Sequence, residues 1–417
     1  MTETELREQD RPRQAVILAG GRGTRLAPLT DSVPKPLIPF HGKPFLEYLI
    51  ELLREQGFER VLLLLGYRAG QIQEHFGDGS AFGLEITYSV TALEHDTGER
   101  VRFVRDRVDP IFLLLYCDNY WPLPFARMWQ QFTSFPAGEI QAQVTVYGNQ
   151  DGYTRDNLIV NGDLRVELYD KTRSAPGLQG VDIGFLILRR ETLDLLPSGN
   201  VSLEKTLYPQ LIEAGQLAAF PTEHRYYSVG SHERLALTTH FLQREPTILL
   251  DRDGVLNAKA PKAQYVRSWA DWRWLPGSLE AVGLLCAAGF RVLVVSNQAG
   301  IARGQMTHED LDAIHARMGA DLAEHGARVD GIYVCPHGWD EGCDCRKPKP
   351  GMLLQAQRDH DLDLSRVYFI GDDERDVQAG EAAGCKTLLV GEERSLLEIV
   401  REVVLPPLLP PAGTTDS

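Results

Sequence analysis

Two carboxylates stand two residues apart in TILLDRDGVLN (247–257): Asp251 and Asp253, at the end of an apolar run and just before Gly254. On a strand, side chains at i and i+2 share a side, so such a pair repels unless a cation lies between them or one is protonated. That arrangement suits Mg²⁺ with a nucleophilic carboxylate beside a general acid/base. Most such pairs are surface turns, and here the later groups decide. Ser296 ends the next apolar run in VVSNQ, Lys347 lies in CRKPKP, and Asp372 ends a further run in IGDDERD. Between them, Cys335, His337, Cys343 and Cys345 fall within eleven residues. Three thiols and an imidazole, set as two pairs around a short loop, suit tetrahedral Zn²⁺ with no position left for water. The alternative, a few buried thiols and a surface histidine, fits that density poorly. The ion would be structural, pinning the loop that leads into Arg346 and Lys347.

A second group lies near the start, in AGGRGTRLAPLTDSVPKPLIP (19–39). Gly20, Gly21 and Gly23 let the backbone approach a phosphate chain and turn its N–H groups inward. Arg25 adds a charge that neutralises phosphate, and Lys35, between Pro34 and Pro36, adds another on a stiff loop. The spacing is neither GxxxxGK[ST] nor GxGxxG. A tight strand-to-helix turn is the plain alternative; two cations and a Pro-Lys-Pro clamp within sixteen residues favour phosphate. Further on, IFLLLYCDN (111–119) ends a buried strand at Asp118. A carboxylate there is either a turn former or one that faces the crevice of an open sheet, a place that suits Mg²⁺ with phosphate oxygens.

The elements that must hold these groups follow from periodicity. AVILA (15–19), VLLLL (61–65) and IFLLLYC (111–117) are strand-sized apolar runs, and PFLEYLIELLREQGF (44–58) has the stripe Leu46, Leu49, Ile50, Leu53 of a helix. Alternation of this kind predicts an α/β chain with a largely parallel sheet, partly antiparallel around 140–190. HERLALTTHFLQREP (232–246) reads as a helix stopped by Pro246, after which the series restarts. This predicts two domains, 14–243 and 246–395, as expected for 417 residues. The formal net charge of −15 argues against a non-specific nucleic-acid binder, and no apolar run reaches the roughly 18 residues of a membrane helix. The polar MTETELREQDRPRQ (1–14) predicts no signal or transit peptide, and the six cysteines form no disulfide framework, so the expected compartment is the reducing cytoplasm. The Pro-rich LPPLLPPAGTTDS (405–417) predicts a frayed tail.

GGRGTRLAPLT followed by PKPLIP resembles the signature of the sugar-1-phosphate nucleotidylyltransferases, over residues 14–240. The resemblance implies a nucleotide-diphospho-sugar transferase fold. It implies a nucleoside triphosphate on Gly20, Gly21, Gly23, Thr24, Arg25 and Lys35, Mg²⁺ on Asp118, and sugar phosphate on Lys171 of ELYDKT. Three segments depart from the family pattern. EHDTGER (94–100) replaces a Leu-Gly-Thr-Ala/Gly-Ala stretch that packs on the base, Ser228 of YYSVGS stands where a second metal carboxylate is usual, and Asn119 follows the metal Asp. Asp182 of GVDIGF is a substitute candidate for that carboxylate.

DRDGVLN, SNQAGIARG (296–304), CPHGWDEGCDCRKPKPGM (335–352) and GDDERD (371–376) together resemble the haloacid dehalogenase superfamily, in its histidinol-phosphatase and heptose-bisphosphate phosphatase branch. The implied roles are Asp251 as nucleophile, Asp253 as acid/base, and Ser296 and Lys347 on the phosphoryl oxygens. Mg²⁺ would lie on Asp251, the Asp253 carbonyl and Asp372, with Asn297, Gln298 and Arg346 on substrate. Asp373 stands where the heptose branch usually has Lys.

The fold class is thus α/β with two Rossmann-like domains. The two resemblances imply consecutive steps: dephosphorylation of D-glycero-D-manno-heptose 1,7-bisphosphate to the 1-phosphate, then nucleotidyl transfer to it, GMP being the first expectation. The expected partners are sugar phosphates and a nucleoside triphosphate, with neither nucleic acid nor membrane. Two alternatives stand: a phosphatase with a non-catalytic, nucleotide-binding regulatory N-terminal domain, and histidinol phosphate as the phosphatase substrate.

Overall fold

Continuous apolar strands need cover on both faces, and the chain supplies it twice. The computed structural model describes residues 11–261 and 264–406; the expected leaderless N-terminus and frayed tail fall largely outside them. The chain divides into two compact units, 1–242 and 243–417.

In the first unit the main strands are β1 (Gln14–Ala19), β2 (Arg60–Leu65), β3 (Glu85–Val90), β4 (Ile111–Tyr116), β5 (Ala142–Tyr147), β6 (Val181–Arg189) and β7 (Leu217–Thr222). They form one sheet in the order β7-β5-β6-β4-β1-β2-β3. β4, β1, β2 and β3 are mutually parallel, whereas β6 runs antiparallel to both β4 and β5. Because β4 and β1 are parallel neighbours, the Gly-rich loop and Asp118 leave the same sheet edge. One face, with Ile17, Leu63 and Leu115, packs on helix α1 (Phe45–Glu55), whose Leu46, Leu49, Ile50 and Leu53 are fully buried. The other face, with Val16, Leu62 and Leu114, packs on α2 (Leu203–Glu213) through Leu207 and Leu211. The closing helix ends at Leu242, four residues before the proline expected to stop it.

The second unit is an all-parallel sheet of β8 (Thr247–Leu250), β9 (Arg291–Asn297), β10 (Gly331–Cys335), β11 (Tyr368–Gly371) and β12 (Lys386–Leu389), in the order β10-β9-β8-β11-β12. Leu250, Val292, Val294 and Ile370 face α3 (His308–Glu324), which presents Leu311, Ile314, Met318 and Leu322 at helical spacing. Leu249, Leu293, Val295 and Phe369 face α4 (Gly351–His360) through Met352, Leu353 and Ala356. A further helix, α5 (Glu374–Ala383), starts directly after β11. One local expectation is corrected. β8 stops at Leu250, so Asp251 and Asp253 lie beyond the strand, in a turn where the Leu256 and Asn257 N–H groups both bond the Arg252 carbonyl. The i, i+2 rule for strands therefore does not govern their side chains.

Candidate active sites and metal centre

The tips of β8, β9 and β11 adjoin in the second sheet and bring Asp251, Ser296 and Asp372 to one edge. Lys347 reaches them from the chain after the cysteines. Its ammonium lies 2.9 Å from Asp251 Oδ1, 2.7 Å from Asp376 Oδ1 and 3.0 Å from the Val295 carbonyl, and the side chain is 3% exposed. Burial opposes that charge, yet Asp251 and Asp376 hold it above the ordinary lysine range. Burial pushes the Asp251 carboxyl up to about 7; Lys347 opposes this, and Asp376 and Asp253 add to it.

Asp251, Asp372 and Asp376 each offer an oxygen within 4.8 Å of the others. Asp372 Oδ1 is buried with no hydrogen-bond partner among the described residues, while Lys259 Nζ lies 2.5 Å from Oδ2. Three carboxylates with an unsatisfied oxygen are a set of hard donors that fits Mg²⁺. Gly254 permits their approach: its φ is +100°, and a Cβ there would fall 1.9 Å from Asp372 Oδ2. Gly254→Ala is therefore expected to cut Mg²⁺-dependent phosphate release by about 100-fold, the scale of a roughly 1 Å misplacement, measured against a thermal melt of the same protein. Asp376 was not singled out in the sequence. The signal was present, since it follows Asp372 by one helical turn at the start of α5.

The other expected residues take definite places. The Asp253 carboxylate lies outside the three-carboxylate group. It accepts from Gln298 Nε2 at 2.7 Å, Asn257 Nδ2 at 2.9 Å and Arg252 Nε at 3.1 Å. Burial pushes its carboxyl up, but Arg252, Asn257 and Gln298 together hold it below the usual range. Ser296 Oγ is 3.5 Å from Asp253 Oδ2 and accepts from Gln298 at 2.7 Å. Asn297 clamps the Lys347 main chain, donating to its carbonyl and accepting from its N–H, both at 3.1 Å. Asn297 and Gln298 are thus tied to protein groups, and Arg346 donates to the His337 carbonyl at 3.2 Å.

Cys335, His337, Cys343 and Cys345 gather their donor atoms within 4.8 Å. Cys335 Sγ is 3.7 Å from both Cys343 Sγ and His337 Nδ1, and His337 Nδ1 is 3.2 Å from Cys345 Sγ. Sulfurs at Zn–S distances of about 2.3 Å on a tetrahedron lie just under 4 Å apart, so the set fits Zn²⁺.

In the first unit the glycine loop leaves β1 into a single turn at Thr24–Leu26. Gly23 holds φ +68°, while Thr24 and Arg25 are exposed. A Cβ on Gly20 would collide with the Arg100 guanidinium; one on Gly21 would meet nothing within 4 Å. Lys35 Nζ lies 2.6 Å from Asp118 Oδ2, which joins two of the expected groups. Ser228 bridges Asn119 across a short antiparallel ribbon. Asp182 instead accepts from the Tyr208 hydroxyl at 3.0 Å and the Gly184 N–H at 2.9 Å. Burial pushes its carboxyl up to about 6, with Glu204 adding to this. Lys171 Nζ lies 3.4 Å from both Glu204 Oε2 and Ser202 Oγ. The segment 91–95, which runs into the departure at 94–100, is stapled by buried Arg100, which donates to the carbonyls of Ala92, Leu93 and His95 and to Thr91 Oγ1.

The comparisons with known proteins agree with this division. A Nucleotidyl transferase family model matches residues 14–154, and a HAD-hydrolase-like model matches 344–406. D-glycero-beta-D-manno-heptose-1,7-bisphosphate 7-phosphatase of Pseudomonas putida is 44% identical over 161 residues, 38% of this chain and 91% of that protein. The crystal structure of D,D-heptose 1,7-bisphosphate phosphatase from B. bronchiseptica, complexed with magnesium and phosphate, is 38% identical. It covers 38% of this chain and 98% of that one, with a TM-score of 0.36. HddC from Yersinia pseudotuberculosis is 23% identical, covering 55% and 99%, with a TM-score of 0.48. The chain is a two-unit enzyme, an N-terminal nucleotidyltransferase fused to a C-terminal haloacid dehalogenase-type phosphatase. Through that C-terminal unit it belongs to the D-glycero-beta-D-manno-heptose-1,7-bisphosphate 7-phosphatase family. No helix among the described residues is long and apolar enough to cross a membrane.

Proposed function

We propose that the C-terminal unit removes the 7-phosphate of a heptose 1,7-bisphosphate, and that the N-terminal unit transfers a nucleotidyl group, GMP first among candidates, to the resulting 1-phosphate. The observation that carries the first half is Lys347 seated between Asp251 and Asp376 at the sheet edge, in a unit 44% identical to a heptose-bisphosphate phosphatase. A bound Mg²⁺, on Asp251, Asp372 and Asp376 with the Asp253 carbonyl, would neutralise phosphoryl charge and keep Asp251 ionised. Asp251 attacks phosphorus as the ester P–O bond breaks, and Asp253 gives its proton to the leaving oxygen. Water then attacks the aspartyl phosphate, passes a proton to Asp253, and the Asp251 O–P bond breaks. Asp253 is held low in the free site, and the charge of an arriving phosphate raises its proton affinity. Lys347 and Ser296 hold the phosphoryl oxygens.

Support for the second half is the Gly-rich turn beside the Lys35–Asp118 pair. Lys35 and Arg25 would offset triphosphate charge, Asp118 would hold Mg²⁺, and Lys171, steadied by Glu204, would meet the sugar phosphate. Ser228, a hydroxyl where a second carboxylate is usual, favours the other reading, a nucleotide-binding regulatory unit. The test is direct. The full chain receives heptose 1,7-bisphosphate or histidinol phosphate, Mg²⁺ and each of four nucleoside triphosphates, and phosphate and pyrophosphate are measured separately. Pyrophosphate with one triphosphate is expected. Phosphate release alone, with triphosphate binding retained, would favour regulation, and faster turnover of histidinol phosphate would overturn the sugar.

The cysteine site is proposed to hold one structural Zn²⁺. Elemental analysis of the parent is expected to find one zinc per chain, and Cys343→Ala to lose it together with protease resistance at 335–350. Parent protein without zinc would end this assignment.

A further inference from the structure

Asp253 is oriented in part by a side chain with no exposed surface. Arg252 is fully buried, with its guanidinium 5.7 Å from the Trp272 ring. A buried guanidinium needs acceptors. Two are the Asp253 oxygens, taken by Nε and Nη2 at 3.1 Å each. On Nη1 the partner is His315 Nε2, at 3.2 Å. His315 sits on α3 four residues after Leu311 and three before Met318, so it borders the helix face that anchors the core and sets the imidazole against Arg252. An arginine only donates, so the imidazole must accept there, as a neutral ring. Burial and the neighbouring Arg252 charge hold His315 down to about 4, in keeping with that role.

We propose that His315 is a positioning residue for the phosphatase: by accepting from Arg252 it fixes the guanidinium fork that aims the Asp253 carboxyl at the leaving oxygen. This rests on Asp253 being the general acid. Without an acceptor at 315, Arg252 Nη1 is left to seek another partner, and the fork turns with it. Asn257 and Gln298 still hold Asp253 near its place, so the defect is one of aim.

An acid matters most when the leaving group is a poor one. kcat/KM reports transfer to Asp251, the step in which the ester bond breaks. It is measured for the sugar bisphosphate, which leaves as an alkoxide, and for p-nitrophenyl phosphate, whose leaving group needs no proton. The ratio of the two does not depend on how much of a variant is folded. His315→Ala is expected to lose about 100-fold on the sugar ester and to stay within about threefold on the aryl ester. His315→Gln, whose Oε1 reaches the position of Nε2 and accepts, is expected to restore the ratio to within about fivefold. Equal losses on both esters, an unchanged ratio, or a selective loss that Gln leaves unrepaired would each overturn the role of His315. Asp253→Asn separates the underlying reading. If it too loses both esters equally, the acid assignment falls; if it discriminates and His315→Ala does not, only the inference falls.

Discussion

Asp251→Asn is expected to abolish phosphate release, by at least about 10⁴-fold, while the protein stays folded and nucleotidyl transfer is untouched. The carboxylate lies against Lys347 and within reach of the Asp372 and Asp376 oxygens, and of the three it alone is proposed to attack phosphorus. An amide has its shape without its nucleophilicity. Stability should move the other way. Burial raises the folded-state carboxyl to about 7, so its protonated form favours the fold and its ionised form weakens it. That contribution is complete below the ordinary carboxylate range and is lost as pH climbs to about 7. In magnesium-free buffer the advantage of Asn over Asp is therefore expected to grow from pH 4 to pH 7 and then level off. Denaturant titrations at several pH values check this, and an advantage that shrinks with rising pH would contradict the buried-carboxylate account.

Lys347→Met is expected to destabilise the phosphatase unit strongly. The ammonium is 3% exposed and is shared by Asp251 and Asp376, both of them buried. Removing it leaves two carboxylates facing each other without a counter-charge, and breaking a buried pair in this way costs about 3–5 kcal/mol. Methionine keeps most of the volume, so the loss is electrostatic rather than a cavity. Mg²⁺ should recover part of it by binding the folded carboxylates. The expected result is a lower denaturation midpoint that rises on adding Mg²⁺, with phosphate release still absent. A midpoint like the parent's would show that Lys347 does not neutralise the cluster.

The gathering of the candidate residues was legible because each lies in a short segment whose form follows from local rules. Asp251, Ser296 and Asp372 end apolar runs in the second sheet, and Asp118 ends one in the first; in each sheet parallel strands bring their carboxyl ends to one edge. Cys335 to Cys345 are close enough in sequence for spacing alone to define a tetrahedral set. Partner choice was not legible. Lys35 meets Asp118 across 83 residues, and Asn297 clamps Lys347 across 50. Asp376 joins the three-carboxylate group because α5 starts directly after β11.

The order of the residues therefore determined two α/β units, the strand ends proposed to hold phosphate chemistry, and the close group of three thiols and an imidazole. Folding decided which side chains answer one another. Asn297 and Gln298, expected to contact substrate, also bond Lys347 and Asp253. Arg252, unremarked between two aspartates, became the fork that joins Asp253 to His315. The reason is physical. Helix and strand periods are set by neighbours a few residues away, but a buried polar group takes whichever partner the packing of distant elements puts within about 3 Å, and no local pattern encodes that.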